Sequence, residues 1–268
     1  SVSVLTADYL SSKFISNIMK DNLWIDSTVL PNELLVTELK SLRVGEALMS
    51  EGKVIAIRSA VFDSNNTNVI KSNVVFNSIK NLCDIFSLNG AEIENDFSIL
   101  TIGKESIALD ASNKLIGSNI FIENGAKVSC SILNSDEGPI YIGKNAQIME
   151  GSLIRGPFAM CESSVLKMGA KIYEASTIGP FCKVGGEINN SVFFGYSAKA
   201  HDGFLGNSVI GEWCNLGADT NNSNLKNNYA DVKVWNYESE RFKKTGLQFC
   251  GLIMGDHSET GINTMFNT

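Results

Sequence analysis

One of only two histidines in the chain, His201, stands in the run Ala198-Lys199-Ala200-His201-Asp202-Gly203-Phe204-Leu205-Gly206. An imidazole titrates near neutrality, so a neutral ring at this point can take a proton from an attacking group. A surface histidine without a role fits the same position. Asn215 and Asn224 follow downstream. An amide N–H can stabilise negative charge that develops on a carbonyl oxygen. Asparagine is also the residue that corners favour, and Asn224 lies in the run Asn221-Asn222-Ser223-Asn224, where loop composition alone accounts for it. Lys199, Lys226 and Lys233 are cations in the same stretch that could meet an anionic group, although exposed lysines are common. His257, in Gly255-Asp256-His257-Ser258, reads as structural. The reaction these groups serve depends on the elements that hold them.

Composition narrows the choice. The chain has 268 residues, 44% of them hydrophobic and 19% charged, with 23 glycines. This mix suits strands and turns better than a helical bundle. The net charge of -7 argues against nucleic acid as a partner, because that needs a basic footprint. No run of eighteen apolar residues is present, so no membrane span or membrane partner is expected. The six cysteines form no CxxC pair, and with two histidines they suggest no metal site. They read as free, reduced packing residues, which together with the lack of a signal-peptide pattern implies the cytoplasm.

Up to about residue 110 the pattern is mixed. The apolar face of 6–20 (Tyr9, Leu10, Phe14, Ile15, Ile18, Met19) predicts a helix behind a Thr6 cap. A second helix is expected over 31–42, with Pro31 in its first turn. A hairpin is expected around Ser50-Glu51-Gly52, and a further helix from Asp84, weakened by Gly90. Neither GxGxxG nor GxxxxGK[ST] occurs in this region.

From Ile142 the pattern changes. Steps of six give Ile142, Ile148, Ile154, Met160, Leu166, Ile172, Ile178 and Val184, all apolar. At this hydrophobic content such a run arises roughly once in 700 trials, so the period is real. Two places earlier stand Ala146, Ser152, Phe158, Ser164, Ala170, Ser176 and Cys182, small but for Phe158. Ile122, Ala126 and Val128 begin the pattern upstream. After Val184 it slips and resumes at Val192, Ala198, Phe204, Ile210 and Leu216. Neither a helix nor an alternating strand has this spacing. Six residues make one short strand and a turn, and three such units close a triangular coil. Both the large and the small residue point inward, which leaves His201 on an outward turn between Ala198 and Phe204.

Further motifs carry a resemblance. They are Glu187-Ile188-Asn189-Asn190-Ser191-Val192, His201, Phe204-Leu205-Gly206-Asn207-Ser208-Val209-Ile210-Gly211-Glu212, Asn215-Leu216-Gly217-Ala218-Asp219-Thr220 and Asn224-Leu225. With Tyr141-Ile142-Gly143-Lys144, Ile154-Arg155-Gly156-Pro157 and Gly251-Leu252-Ile253-Met254-Gly255-Asp256-His257, the stretch 80–268 resembles the acetyltransferase half of the bifunctional N-acetylglucosamine-1-phosphate uridyltransferases, in a bacteroidete-type branch. The resemblance implies a mainly β fold: a left-handed parallel β-helix of hexapeptide repeats over 111–268, with an insertion near 221–247, behind a small α+β region over 1–110. That region looks like the tail of a nucleotidyltransferase domain, and the chain like a fragment. The resemblance also implies a cytoplasmic homotrimer, acetyl-CoA as co-substrate, and an amino-sugar phosphate as acceptor. His201 takes the place of the family's catalytic base. Asn215 and Asn224 take the places of amides that hold donor and sugar, and Lys199, Lys226 and Lys233 could meet phosphates.

The chain departs from the family pattern. Ala198 stands where the family has a Lys three residues before the base, and Asn189 stands where a phosphate-binding Lys is expected. Phe204 replaces a Tyr. Lys167, Lys171 or Lys199 are the cations that could compensate. The leading expectation is an acetyl-CoA-dependent acyltransferase in sugar-nucleotide biosynthesis. The alternatives are a sugar-1-phosphate nucleotidyltransferase whose β-helix is a trimerisation scaffold, with Mg2+ only if its nucleotidyltransferase domain is active, or a non-catalytic assembly module.

Overall fold

A period of six requires the selected side chains to face one interior. In the computed structural model, which describes residues 2–63, 67–237 and 239–268, Ile142, Ile148, Ile154, Met160, Leu166, Ile172, Ile178 and Val184 are all buried. So are Ala146, Ser152, Phe158, Ser164, Ala170, Ser176 and Cys182, the residues two places earlier. They line a parallel β-helix of three faces. Ile140 pairs with Phe158 and Phe158 with Ser176, eighteen residues apart each time. Gln147 pairs with Val165 and Val165 with Lys183 on the second face, and Leu153 with Lys171 on the third. Stacking like on like, these columns form one continuous apolar core from Ile122 to Met254. The chain is mainly β, with the α+β part first.

Beyond Val184 the coils shorten. Thr177 pairs with Val192 after fifteen residues, and Val192 with Val209 after seventeen. The inward residues here are Ile188, Phe193, Lys199, Leu205, Ile210 and Leu216. Val192, Ala198 and Phe204, expected inward, are each one residue off. The reason is physical. The helix Asp84–Thr101 covers the outside of these strands, so Val192 and Val209 belong to a second small core with Cys83, Phe86, Val232 and Cys250. Strand Glu187–Phe193 is therefore apolar on both sides, and a count of apolar residues cannot tell inside from outside. The short coils turn at Asn190 and Asn207, both in the left-handed backbone region (φ 42° and 49°) that Asn tolerates better than most residues.

Another corner carries bulky residues in that region. Phe181, Tyr196 and Trp213 have φ of 59°, 57° and 58°, and their rings stack in an exposed ladder at centroid distances of 5.2 and 4.6 Å. Ring stacking offsets part of the backbone cost.

The helix Asp84–Thr101 runs unbroken through Gly90. A Cβ added at Gly90 would stand 3.2 Å from the Cβ of Ala175, so the missing side chain lets helix and coil approach. Beside it, Asn89 donates to the Ala175 carbonyl at 2.7 Å and accepts from Thr177 Oγ1 at 2.8 Å.

Contacts divide the chain into two units, 1–80 and 81–268. The first holds a four-stranded sheet that includes the expected hairpin, Glu46–Ser50 with Lys53–Ser59. Its helix Glu33–Ser41 is capped by Asn32 and buries Leu35 and Leu39 against Leu48, Ile55 and Ala56. The helix expected over 6–20 is absent except for a single turn, Asp8–Leu10. Its apolar face finds nothing to bury against, with Tyr9 83% and Ile15 78% exposed. A helix of this length depends on such packing.

Glycines at the coil turns give a test. Gly169 has φ +71° and open space around it, so Gly169→Ala should cost about 1 kcal/mol from backbone conformation alone. Gly179 lies under the shortened coil, where an added Cβ would fall on the Phe194 carbonyl oxygen. Gly179→Ala should cost about 3 kcal/mol or more in urea denaturation. Equal losses would mean that the coils are not stacked this closely.

Candidate functional site

The turn that carries His201 is held from within. His201 is exposed, two residues after the strand Ala198–Lys199. Lys199 was expected to reach a ligand's phosphate, and the structure corrects this. Its side chain is 1% exposed and occupies the inward column, where its strand runs beside Lys183–Val184 on one side and Asn215–Leu216 on the other. From there Nζ donates to the carbonyls of His201 at 2.9 Å and Gly185 at 3.3 Å. Burial pushes this amine down to about 8, while Asp202 and Asp219 pull the other way. A lysine so buried cannot meet substrate. It fixes the backbone of the turn that presents the imidazole.

Past the turn, Gly203 has φ 119° and an added Cβ there would strike the Thr220 carbonyl. The Phe204 N–H donates to Asn221 Oδ1 at 2.8 Å. The Phe204 ring lies across Gly206, where any Cβ would collide with it and with the Asn224 amide. Asn224 Nδ2 in turn donates to Asn207 Oδ1 at 2.8 Å. One layer further in, buried Asn222 accepts from the Gly206 N–H at 2.9 Å and donates to the Gly206 carbonyl at 3.0 Å. A step of six from Lys199 passes through Leu205 and reaches Asn222 once the coil shortening is included. That was the missed signal, together with Asn207 as partner of Asn224.

Phe204 and Asn207 thus lie on the strand Phe204–Ile210, with His201 on the turn before it and Asn224 just past the neighbouring strand Asn221–Asn222. Asn215 sits on the adjoining face, exposed, its N–H donating to the Ser258 carbonyl at 3.0 Å. Lys226 follows Asn224 by two residues and is half-buried. Lys233 stands on a hairpin, Lys233–Asn236 with Arg241–Lys244, inside the insertion. Among the described residues no hydrogen bond or ion pair joins it to the His201 group. Of the substitute cations, Lys171 lies 3.7 Å from Glu187, and Asn189, where a phosphate-binding lysine was expected, pairs with Gly206. His257 is exposed at φ 58°, its N–H donating to the Glu212 carbonyl at 2.8 Å.

All six cysteines are free. Burial pushes the thiols of Cys182 and Cys250 up to about 11, so both are neutral packing groups. No helix among the described residues is long and apolar enough to cross a membrane.

Residues 1–105 match the family model described as sugar nucleotidyl transferase. The match supports a transferase of the nucleotide-sugar kind, and it ends before the coils begin. No curated protein matches the chain.

Lys199 makes stability depend on pH. Its amine is held about 8 in the folded chain against an ordinary 10.5. Below about 8 both folded and unfolded chains are protonated. Between about 8 and 10.5 the unfolded chain binds the proton and the folded chain does not, so stability should rise with pH across that window. Lys199→Met, which keeps the length without the charge, should be more stable at pH 7 and lack this rise. Parallel stability curves for the two proteins from pH 7 to 10.5 would show that the amine is not buried as described.

Proposed function

We propose that the β-helix carries an acetyl-CoA-dependent acyltransferase acting on an amino-sugar phosphate, in a protein of nucleotide-sugar metabolism. The observation that supports it is the exposed His201 on a turn fixed from inside, three residues before Phe204, whose strand carries the Asn207 that accepts from the Asn224 amide. The sugar's ammonium gives its proton to the His201 imidazole, and the free amine attacks the thioester carbonyl. The Asn224 or Asn215 amide holds the oxygen as charge develops there. As the C–S bond breaks, the proton on His201 goes to the departing thiolate, and the nitrogen of the new amide gives its second proton to the freed imidazole, which releases it to water. Lys226 and Lys233 are the cations assigned to phosphates, since Lys199 is enclosed. The acceptor's own phosphate then has to be held by the insertion and not by the coil at Asn189. In this reading the protein is a cytoplasmic homotrimer whose sites lie between neighbouring β-helices. A sedimentation run that finds only monomer would count against shared sites.

A second reading takes the match over 1–105 as sugar-1-phosphate nucleotidyl transfer, with the β-helix as a trimerisation scaffold. Mg2+ would enter only there.

Release of free thiol from acetyl-CoA, with a panel of amino-sugar phosphates, separates the two. His201→Ala should lower acetyl transfer by about two to four orders of magnitude, the range for a positioned general base. Coenzyme A binding should stay unchanged, and His257→Ala should have a much smaller effect. Equal rates in His201→Ala and the parent would remove the role of this residue. No transfer in either would favour the scaffold.

A further inference from the structure

The insertion contains a surface that the coils do not need. In a chain of net charge -7, the segment 226–244 holds five cations, Lys226, Lys233, Arg241, Lys243 and Lys244. Four of them lie on the hairpin Lys233–Asn236 with Arg241–Lys244, whose register sets Lys233 opposite Lys244 and Trp235 opposite Phe242. Opposed residues of an antiparallel pair, and those two places along, share one face. Lys233, Lys244, Trp235 and Phe242 therefore stand on the same side. The other side turns Val234 toward the small core with Val232 and Leu247. The base of the hairpin is tied down there, the Val232 N–H donating to the Leu247 carbonyl at 2.9 Å and Thr245 Oγ1 to the Val232 carbonyl at 2.9 Å.

Two features of the outward face are costly to the chain by itself. Like charges directly opposite in a ladder repel, and among the described residues neither lysine has a carboxylate partner. Trp235 is 43% exposed and Phe242 64%, and their rings meet edge to face at 5.3 Å. An edge-to-face pair leaves a ring face open for a third ring. A dianion between the lysines relieves the repulsion, and a planar base on the aromatics covers them.

We propose that this hairpin face binds a nucleotide, with its diphosphate between Lys233 and Lys244 and its base on Trp235 and Phe242. The chemistry is shared by the nucleotide end of coenzyme A and by a uridine nucleotide. The proposal deepens the acyl-transfer reading, from which it takes Lys233 as a phosphate ligand, and adds a group that reads the ring.

Isothermal titration of the full chain at low salt with ADP, UDP, coenzyme A and pyrophosphate tests it. At least one nucleotide should bind saturably, and at least tenfold tighter than pyrophosphate. Trp235→Ala should weaken that binding about ten- to a hundredfold. The double variant Lys233→Glu, Lys244→Glu should abolish it, with an unchanged circular dichroism spectrum. Preference for coenzyme A or ADP assigns the face to the acyl donor; preference for UDP assigns it to a nucleotide sugar. Either supports the site. No saturable binding, or binding unchanged in the double variant, overturns it. Nucleotide binding without acyl transfer to any amino sugar leaves the hairpin site standing and removes the acyl-transfer reading. Acyl transfer with an unchanged KM for acetyl-CoA in the double variant, and no nucleotide binding, does the reverse.

Discussion

Everything in the second unit depends on one constraint: in a parallel coil each inward side chain lies directly on its equivalent one coil away. The columns through Ile142, Met160 and Ile178, and through Ile148, Leu166 and Val184, satisfy it with branched or flexible apolar groups that are fully buried. The two-residue offset of Ala146, Ser164 and Cys182 satisfies it at a corner where there is no room for more. Where coils keep their eighteen residues the outside of the helix is plain. The chemistry-bearing residues appear where the coils shorten.

That shortening has local consequences. Where a coil loses one to three residues, carbonyls of one coil again sit over glycines of its neighbour, as Phe194 does over Gly179 and Thr220 over Gly203. The strands bend through Asn190 and Asn207 in a backbone region that most residues avoid. One inward position is filled by a lysine instead of an aliphatic group. Lys199 keeps its stem in the apolar column and spends its amine on two carbonyls of the turns on either side. Burial disfavours the charged amine, while its two hydrogen bonds hold the turn.

This division explains what the sequence could reveal. The columns from Ile142 to Val184 are legible because only the interior is apolar there. The later columns are displaced by one residue, since the helix Asp84–Thr101 makes Val192 and Val209 apolar from outside. The burial of Lys199 escaped because lysine is among the residue types least often enclosed. Its place beside His201, not its type, was the clue. His201 and Asn224 were legible as residues, but the Asn224–Asn207 bond and the inward Asn222 required the register. In the first unit the helix Glu33–Ser41 was legible from its cap and its apolar side, whereas Tyr9 and Ile15 had the right spacing and no surface to meet. Periodicity shows what a segment can bury, and not whether anything is there to cover it.

The enclosure of Lys199 also decides where an anionic ligand must be held. A phosphate site needs cations that are accessible and not already neutralised. Lys199 fails the first condition, Lys171 at 3.7 Å from Glu187 fails the second, and Asn189 offers no charge. Lys167 on the coils meets both conditions, and the insertion between Lys226 and Lys244 adds five cations against three acidic residues. The coils fix the proton-accepting turn with a precision that their stacking enforces, and the insertion adds accessible cations outside them. Recognition is thereby moved to an element outside the repeat, where length and composition can change without disturbing a single column of the core.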